Sequence, residues 1–269
     1  MNQFSHLNGK YTKISTSAYN KKMLVISMFF AFSITGCSTL PKHKTEYLAQ
    51  PTTTIDTSQT SLAQMIEPLQ KQHEGLTGYH VLFEPLEALA TRLRLIDRAE
   101  KTLDLQYYIW DNDKVGALAL HALIRAADRG VKIRLLIDDN NAKHTEGIFL
   151  ALAQHPNIEV KLFNPYRFRK HRSLDMVLDL KRINRRMHNK SFIADHQIAL
   201  IGGRNMTNQY YNVSDNYQFS DVDVMLFGTA VHEISDSFDD YWNHEYAYDV
   251  REIVSQKSHR LSYESLKQQ

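Results

Sequence analysis

One cysteine, Cys37, stands in 269 residues, and a lone thiol excludes an intrachain disulfide framework in any compartment. The net charge of +2 is too small to announce a polyanionic partner, so no nucleic acid is expected. His232 and His244 have no companion ligands at metal spacing and read as surface or capping residues. No internal repeat is evident. The apolar run over residues 23–34 is too short to span a bilayer comfortably. It has the length of a signal-peptide core instead.

What is present begins with that run. Lys10, Lys13, Lys21 and Lys22 precede it, and it ends at Ile34-Thr35-Gly36-Cys37. This ending resembles a bacterial lipobox, which implies a signal peptide over residues 1–37, lipidation of Cys37 and a membrane-anchored lipoprotein of the cell envelope. Ser38, in place of Asp, resembles outer-membrane sorting, with the chain facing the periplasm. The long polar stretch 1–20 departs from the usual pattern. Residues 38–78 are polar and read as a flexible tether with a short helix around 62–69.

From Tyr79 strands and helices alternate. Residues 79–83 suit a short strand. Pro85 opens a helix carrying Leu86, Leu89, Leu93 and Ile96 at helical spacing. Residues 103–110 form a strong strand, 114–129 a helix closed by Gly130, and 131–137 a buried strand. A helix over 145–154 and a strand over 158–163 follow. Such units predict an α/β fold, a mixed and largely parallel sheet flanked by helices on both faces. Asp138, Asp139 and Asn140 end one strand and read as solvated loop residues outside the site. Residues 167–186 hold eight basic residues against Asp175 and Asp179. Leu174, Val177, Leu178 and Ile183 stripe this segment. It suits either a helix packed by that stripe or a basic helix resting on anionic lipid headgroups. Residues 221–227 read as a strand with inward aliphatics and outward acids, and 231–242 as a helix.

The chemistry concentrates in residues 187–205, MHNKSFIADHQIALIGGRN. Residues 191–194 and 198–201 are β-prone runs around a tight polar turn. His188 and Lys190, two positions apart in extended chain, share one face. An imidazole and an ammonium aimed together suit a phosphodiester: the ring as nucleophile or acid, the ammonium on the non-bridging oxygens. Asp195 and Asn205 can orient these groups or donate to the phosphate, and Gly202 and Gly203 allow close backbone approach. No metal or other cofactor is required.

HxK(x)4D followed by GGxN resembles the phospholipase D superfamily signature. The resemblance implies that His188 forms a phosphohistidine or acts as general acid, that Lys190 and Asn205 bind phosphate, and that Asp195 supports a histidine. Further segments, LDLQYYIWDND, ADRGVKIRLLIDDNN, HPNIEVKLFNPY and DVDVMLFGTAV, resemble the N-terminal half of lipoprotein-type bacterial cardiolipin synthases. That likeness implies a membrane-surface enzyme moving a phosphatidyl group between phospholipids, with phosphatidylglycerol or phosphatidylethanolamine as donor. The family carries two HxK(x)4D motifs, whereas His121, His155 and His171 lack a lysine two positions on, so this chain has one. One imidazole cannot be both nucleophile and acid in the same step. The likeness therefore implies a domain over 79–245, a tail over 246–269 beginning a second half, and a partner half from dimerisation or a longer chain. The alternatives are a phospholipase D-type hydrolase, a single-motif homodimeric nuclease, and an inactive truncated lipoprotein.

Overall fold

The computed structural model describes residues 40–42, 52–255 and 261–267, within a compact unit Leu40–Gln269. The signal peptide and Cys37 fall outside the described residues. In chain order the elements are α1 (Ser61–Gln72), β1 (Thr77–Leu82), α2 (Pro85–Arg98), β2 (Thr102–Tyr107) and α3 (Lys114–Asp128). Next come β3 (Lys132–Asp138), α4 (Glu146–Leu152), β4 (Ile158–Phe163), α5 (Arg172–Leu178) and α6 (Leu180–Ile183). The chain continues through β5 (Ser191–Ala194), β6 (Ile198–Gly202), β7 (Asp223–Gly228), α7 (Thr229–Trp242), β8 (Ala247–Asp249), α8 (Val250–Ile253) and α9 (Tyr263–Lys267).

The strands form one sheet in the order β1-β7-β6-β5-β2-β3-β4-β8. Only β2 with β3 and β3 with β4 are parallel, because α3 and α4 carry the chain back across the sheet between them. All other neighbours are antiparallel. The expected largely parallel sheet is thus corrected to a mixed, mostly antiparallel one. The strand-helix alternation stops at β4, and the short turn between β5 and β6 can only reverse the chain.

Successive residues of β5 feed opposite faces, as alternation demands. Phe192 and Ala194 join a core with Leu103, Leu105 and the inner faces of α2, α3 and α4. Ile193 joins a second core with Ala199 and Val231, Phe238 and Trp242 of α7. Helices therefore do cover both faces.

The tether reading fails from Thr52 onward. Thr60 caps α1 by accepting from the Ala63 amide, and Leu62 and Ile66 are buried in the main core. Thr52 donates to Asp104 at 2.9 Å and accepts from Arg134 at 2.6 Å, deep in the sheet. Polar composition concealed this packing because its apolar residues are few but aligned. The boundary at 245 is corrected too: β8 pairs with β4, and Val250, Val254 and Leu266 enter the main core.

Candidate active site

The chain reaches His188 from a buried anchor. Asp138, at the end of β3, accepts the Met187 amide at 2.8 Å, the Asn140 amide at 2.8 Å and the Arg186 guanidinium at 3.0 Å. Burial pushes its carboxyl above the ordinary range and Arg186 opposes that shift. Asp138 and Asp139 are fully buried, so the solvated-loop reading is overturned. β3 is buried continuously from Ile133 to Asp138, which carries these residues inside the protein, yet sequence could not show which arginines would meet them.

His188 is exposed and Lys190 is buried. Lys190 Nζ donates to His188 Nδ1 at 3.2 Å, and the His188 ring leans on Tyr108 with centroids 4.7 Å apart. The ammonium also lies 5.5 Å from the Tyr108 ring centroid. Asn140 donates to the Tyr108 hydroxyl at 3.0 Å and accepts from the Tyr166 hydroxyl at 2.7 Å. Tyr108 is thereby fixed as a wall for the imidazole. Sequence reasoning missed Tyr108; its place at the end of β2, next to the motif strand β5, was the available signal.

The electrostatics favour a neutral ring. Desolvation lowers the His188 pKa, the Lys190 charge lowers it further, and Asp221 opposes both. Burial likewise lowers Lys190, and Asp221 again opposes. An unprotonated imidazole beside an ammonium can attack phosphorus while the cation holds a non-bridging oxygen.

Asp195 does not join this group. It sits across β5, whose four residues rise about 3.3 Å each, at the other end from His188. Its carboxylate accepts the Glu100, Lys101 and Thr102 amides at 3.0, 2.8 and 2.8 Å. Asp195 and His196 both adopt positive φ, 49° and 52°. That is the twist a tight hairpin needs, and Asp tolerates it better than most residues. Within one chain Asp195 orients the hairpin rather than the imidazole.

Asn205 lies one residue beyond Tyr108 in the contact network. Its side chain accepts the Ile109 amide at 2.9 Å and donates to the Tyr210 hydroxyl at 3.0 Å. The two glycines make room for acids of the chain itself. A Cβ on Gly203 would lie 2.0 Å from the Asp221 carboxylate, and one on Gly202 would lie 2.1 Å from that of Asp223. Asp223 is fully buried and pairs with Arg92 at 2.9 Å and Arg204 at 3.3 Å. The outward-acid reading of residues 221–227 is therefore wrong for Asp223, and Val222 is the exposed one. GGRN and the DVD of residues 221–223 lock together and set Asp221 toward His188 and Lys190. No cluster of metal-ligating side chains occurs among the described residues.

The family described as "Cardiolipin synthase, PLD-like domain" matches residues 93–242. Cardiolipin synthase C of Escherichia coli (strain K12) is 48% identical over 181 residues, 67% of this chain and 38% of that protein. An uncharacterized protein of Helicobacter pylori (strain J99) is 35% identical over 222 residues, 82% of this chain and 43% of its own. The chain thus spans about two fifths of the length of these relatives. Among solved structures, the phospholipase D family member Nuc from Salmonella typhimurium aligns with a TM-score of 0.47 and 18% identity, over 65% of this chain and 98% of that one. The chain belongs to the cardiolipin synthase PLD-like domain family, within the phospholipase D superfamily.

Proposed function

We propose that this chain supplies one half-site of a phosphatidyltransferase that joins phospholipids through a phosphohistidine intermediate. The carrying observation is the neutral-leaning His188 held against Lys190 at 3.2 Å and walled by Tyr108. His188 Nε2 attacks phosphorus of the donor phospholipid, the P–O bond to the departing alcohol breaks, and that oxygen takes a proton from an acid. An acceptor glycerol hydroxyl then gives its proton to the same group and attacks phosphorus, freeing His188. Lys190 stabilises the negative charge in both steps, with Asn205 as the second phosphate donor. Because Nδ1 accepts from Lys190, a neutral ring here carries its proton on Nε2; attack by Nε2 requires Nδ1 to hold the proton and Lys190 to turn to phosphate.

The acid and base come from a second HxK(x)4D half, brought by another copy or by a longer chain. The lipobox-like sequence supports anchoring through Cys37 in the envelope, beside phosphatidylglycerol and phosphatidylethanolamine. The test is cardiolipin formation from labelled phosphatidylglycerol vesicles across a dilution series, with His188→Ala as control. Product whose specific rate falls on dilution and vanishes in the variant is expected. Release of free phosphatidic acid alone would make the enzyme a hydrolase, and cleavage of plasmid DNA without lipid turnover would make it a nuclease.

A further inference from the structure

The basic segment folds inside out. Arg167 pairs with Asp179, Arg169 with Asp139 and Glu146, and Arg172 with Asp139. Arg182 reaches Asp179 at 2.6 Å, Asn164 at 2.6 Å and the Pro165 carbonyl at 2.8 Å, and Arg186 reaches Asp138. Both acids of the segment are consumed this way, and Asp175 is fully buried, accepting the Phe168 amide. Polar side chains thus turn toward the protein, where charged groups find partners.

Ile183 is buried, but the other apolar side chains of the stripe are left in water. Leu174, Met176, Val177, Leu178 and Leu180 are exposed, from 44% at Leu174 to 81% at Val177. A single exposed leucine means nothing, but five such residues within seven positions form a patch that asks for a partner. Cations left over from the buried pairs, Lys170, Lys181 and Arg185, are exposed and flank it in sequence. Lys181 and Arg185, with Arg182, Asp179 and Tyr246, line a hollow of about 330 Å³. No exposed carboxylate lies between residues 167 and 190.

The topology places this patch beside the site. β2, β3 and β4 are parallel, so the segment following β4 leaves from the sheet edge at which Tyr108, Asn140 and His188 meet. Two residues separate Arg185 from His188.

We infer that residues 174–180 insert into the interfacial layer of an anionic phospholipid membrane, with Lys170, Lys181 and Arg185 on its phosphates, and so hold the His188 edge at headgroup level. An apolar stretch flanked by cations has the chemistry of an interfacial anchor, and it complements an anionic lipid surface rather than a second basic copy of itself. The inference rests on the lipid reading above and adds the surface that delivers the substrate.

The test uses the full chain carrying Cys37→Ser, with an environment-sensitive fluorophore on Val177→Cys. A control probe sits on Glu264→Cys, at the opposite edge where Tyr263 meets Asp128 and Gln154. With phosphatidylglycerol vesicles, the probe at 177 should shift to the blue and be quenched at least about twofold by spin-labelled lipid, while the probe at 264 stays in water. A bound chain whose probe at 177 remains in water, or a chain that ignores the vesicles, overturns the inference. So does a blue shift without vesicles that grows with protein concentration, which would mean that a second copy covers the face. Insertion without any cardiolipin or phosphatidic acid formed would overturn a transfer site built from two copies of this chain and leave the anchor standing.

Discussion

Asp221 shows how a site is tuned by a residue outside its motif. It raises the pKa of both His188 and Lys190 against the desolvation that lowers them. Removing its charge should therefore let both fall further. In Asp221→Asn the His188 ring, followed by proton NMR across a pH series, should titrate at a lower pH than in the parent chain. The acid limb of any lipid turnover should move the same way, since a group with a lowered pKa stays neutral to more acidic pH. An upward or absent shift would show that Asp221 does not act on the imidazole. The motif spacing made His188 and Lys190 legible; Asp221 was not, because its proximity depends on Gly203 leaving room for its carboxylate. Asp195 is the converse case. Its place in the signature suggested work on a histidine, and three backbone amides claim its carboxylate instead.

At the scale of elements, α1 is the sharpest departure from the sequence reading. Leu62 is fully buried against the main core. Leu62→Ala in the full chain should lower the unfolding free energy by about 2–5 kcal/mol in urea titrations, the usual cost of a buried leucine truncation. A change near zero is what a solvated tether would give, and it would reinstate that reading. The βαβ elements were legible throughout, to within a few residues at their ends, because their apolar periodicity is strong. β4 was placed at residues 158–163 by sequence and is Ile158–Phe163 in the structure. The basic segment was not legible in the same way. Its helical spacing marked one apolar face, but which face turns inward depended on the acids Asp138, Asp139 and Glu146 contributed by β3, the loop after it and α4.

For the whole molecule the decisive fact is a single HxK(x)4D motif in a chain spanning about two fifths of its relatives. If two copies build one reaction centre, equal amounts of parent and His188→Ala chain should mix at random. The parent homodimer is then about a quarter of all dimers, so activity falls to about a quarter of that of the parent at the same total concentration. Independent chains would retain about half. The mixing experiment needs pre-equilibrated protein and labelled phosphatidylglycerol vesicles. A value near one half removes the two-copy site and turns the search toward a partner half on another chain.

The sequence by itself determined the chemistry: the residue types, the two-residue step from His188 to Lys190, and the strand-turn-strand that carries them are local properties of the chain. It also determined the family, through motifs that need no folding to be read. Only the tertiary structure decided the company those residues keep. Tyr108, Asp138 and Asp221 come from three other strands or their ends, and sheet order alone brings them to one edge. It also decided that most arginines of the basic segment, Arg185 apart, face in and its leucines out. Burial of a charge is settled by the partner that meets it, and partners distant in sequence are fixed by topology rather than by local pattern.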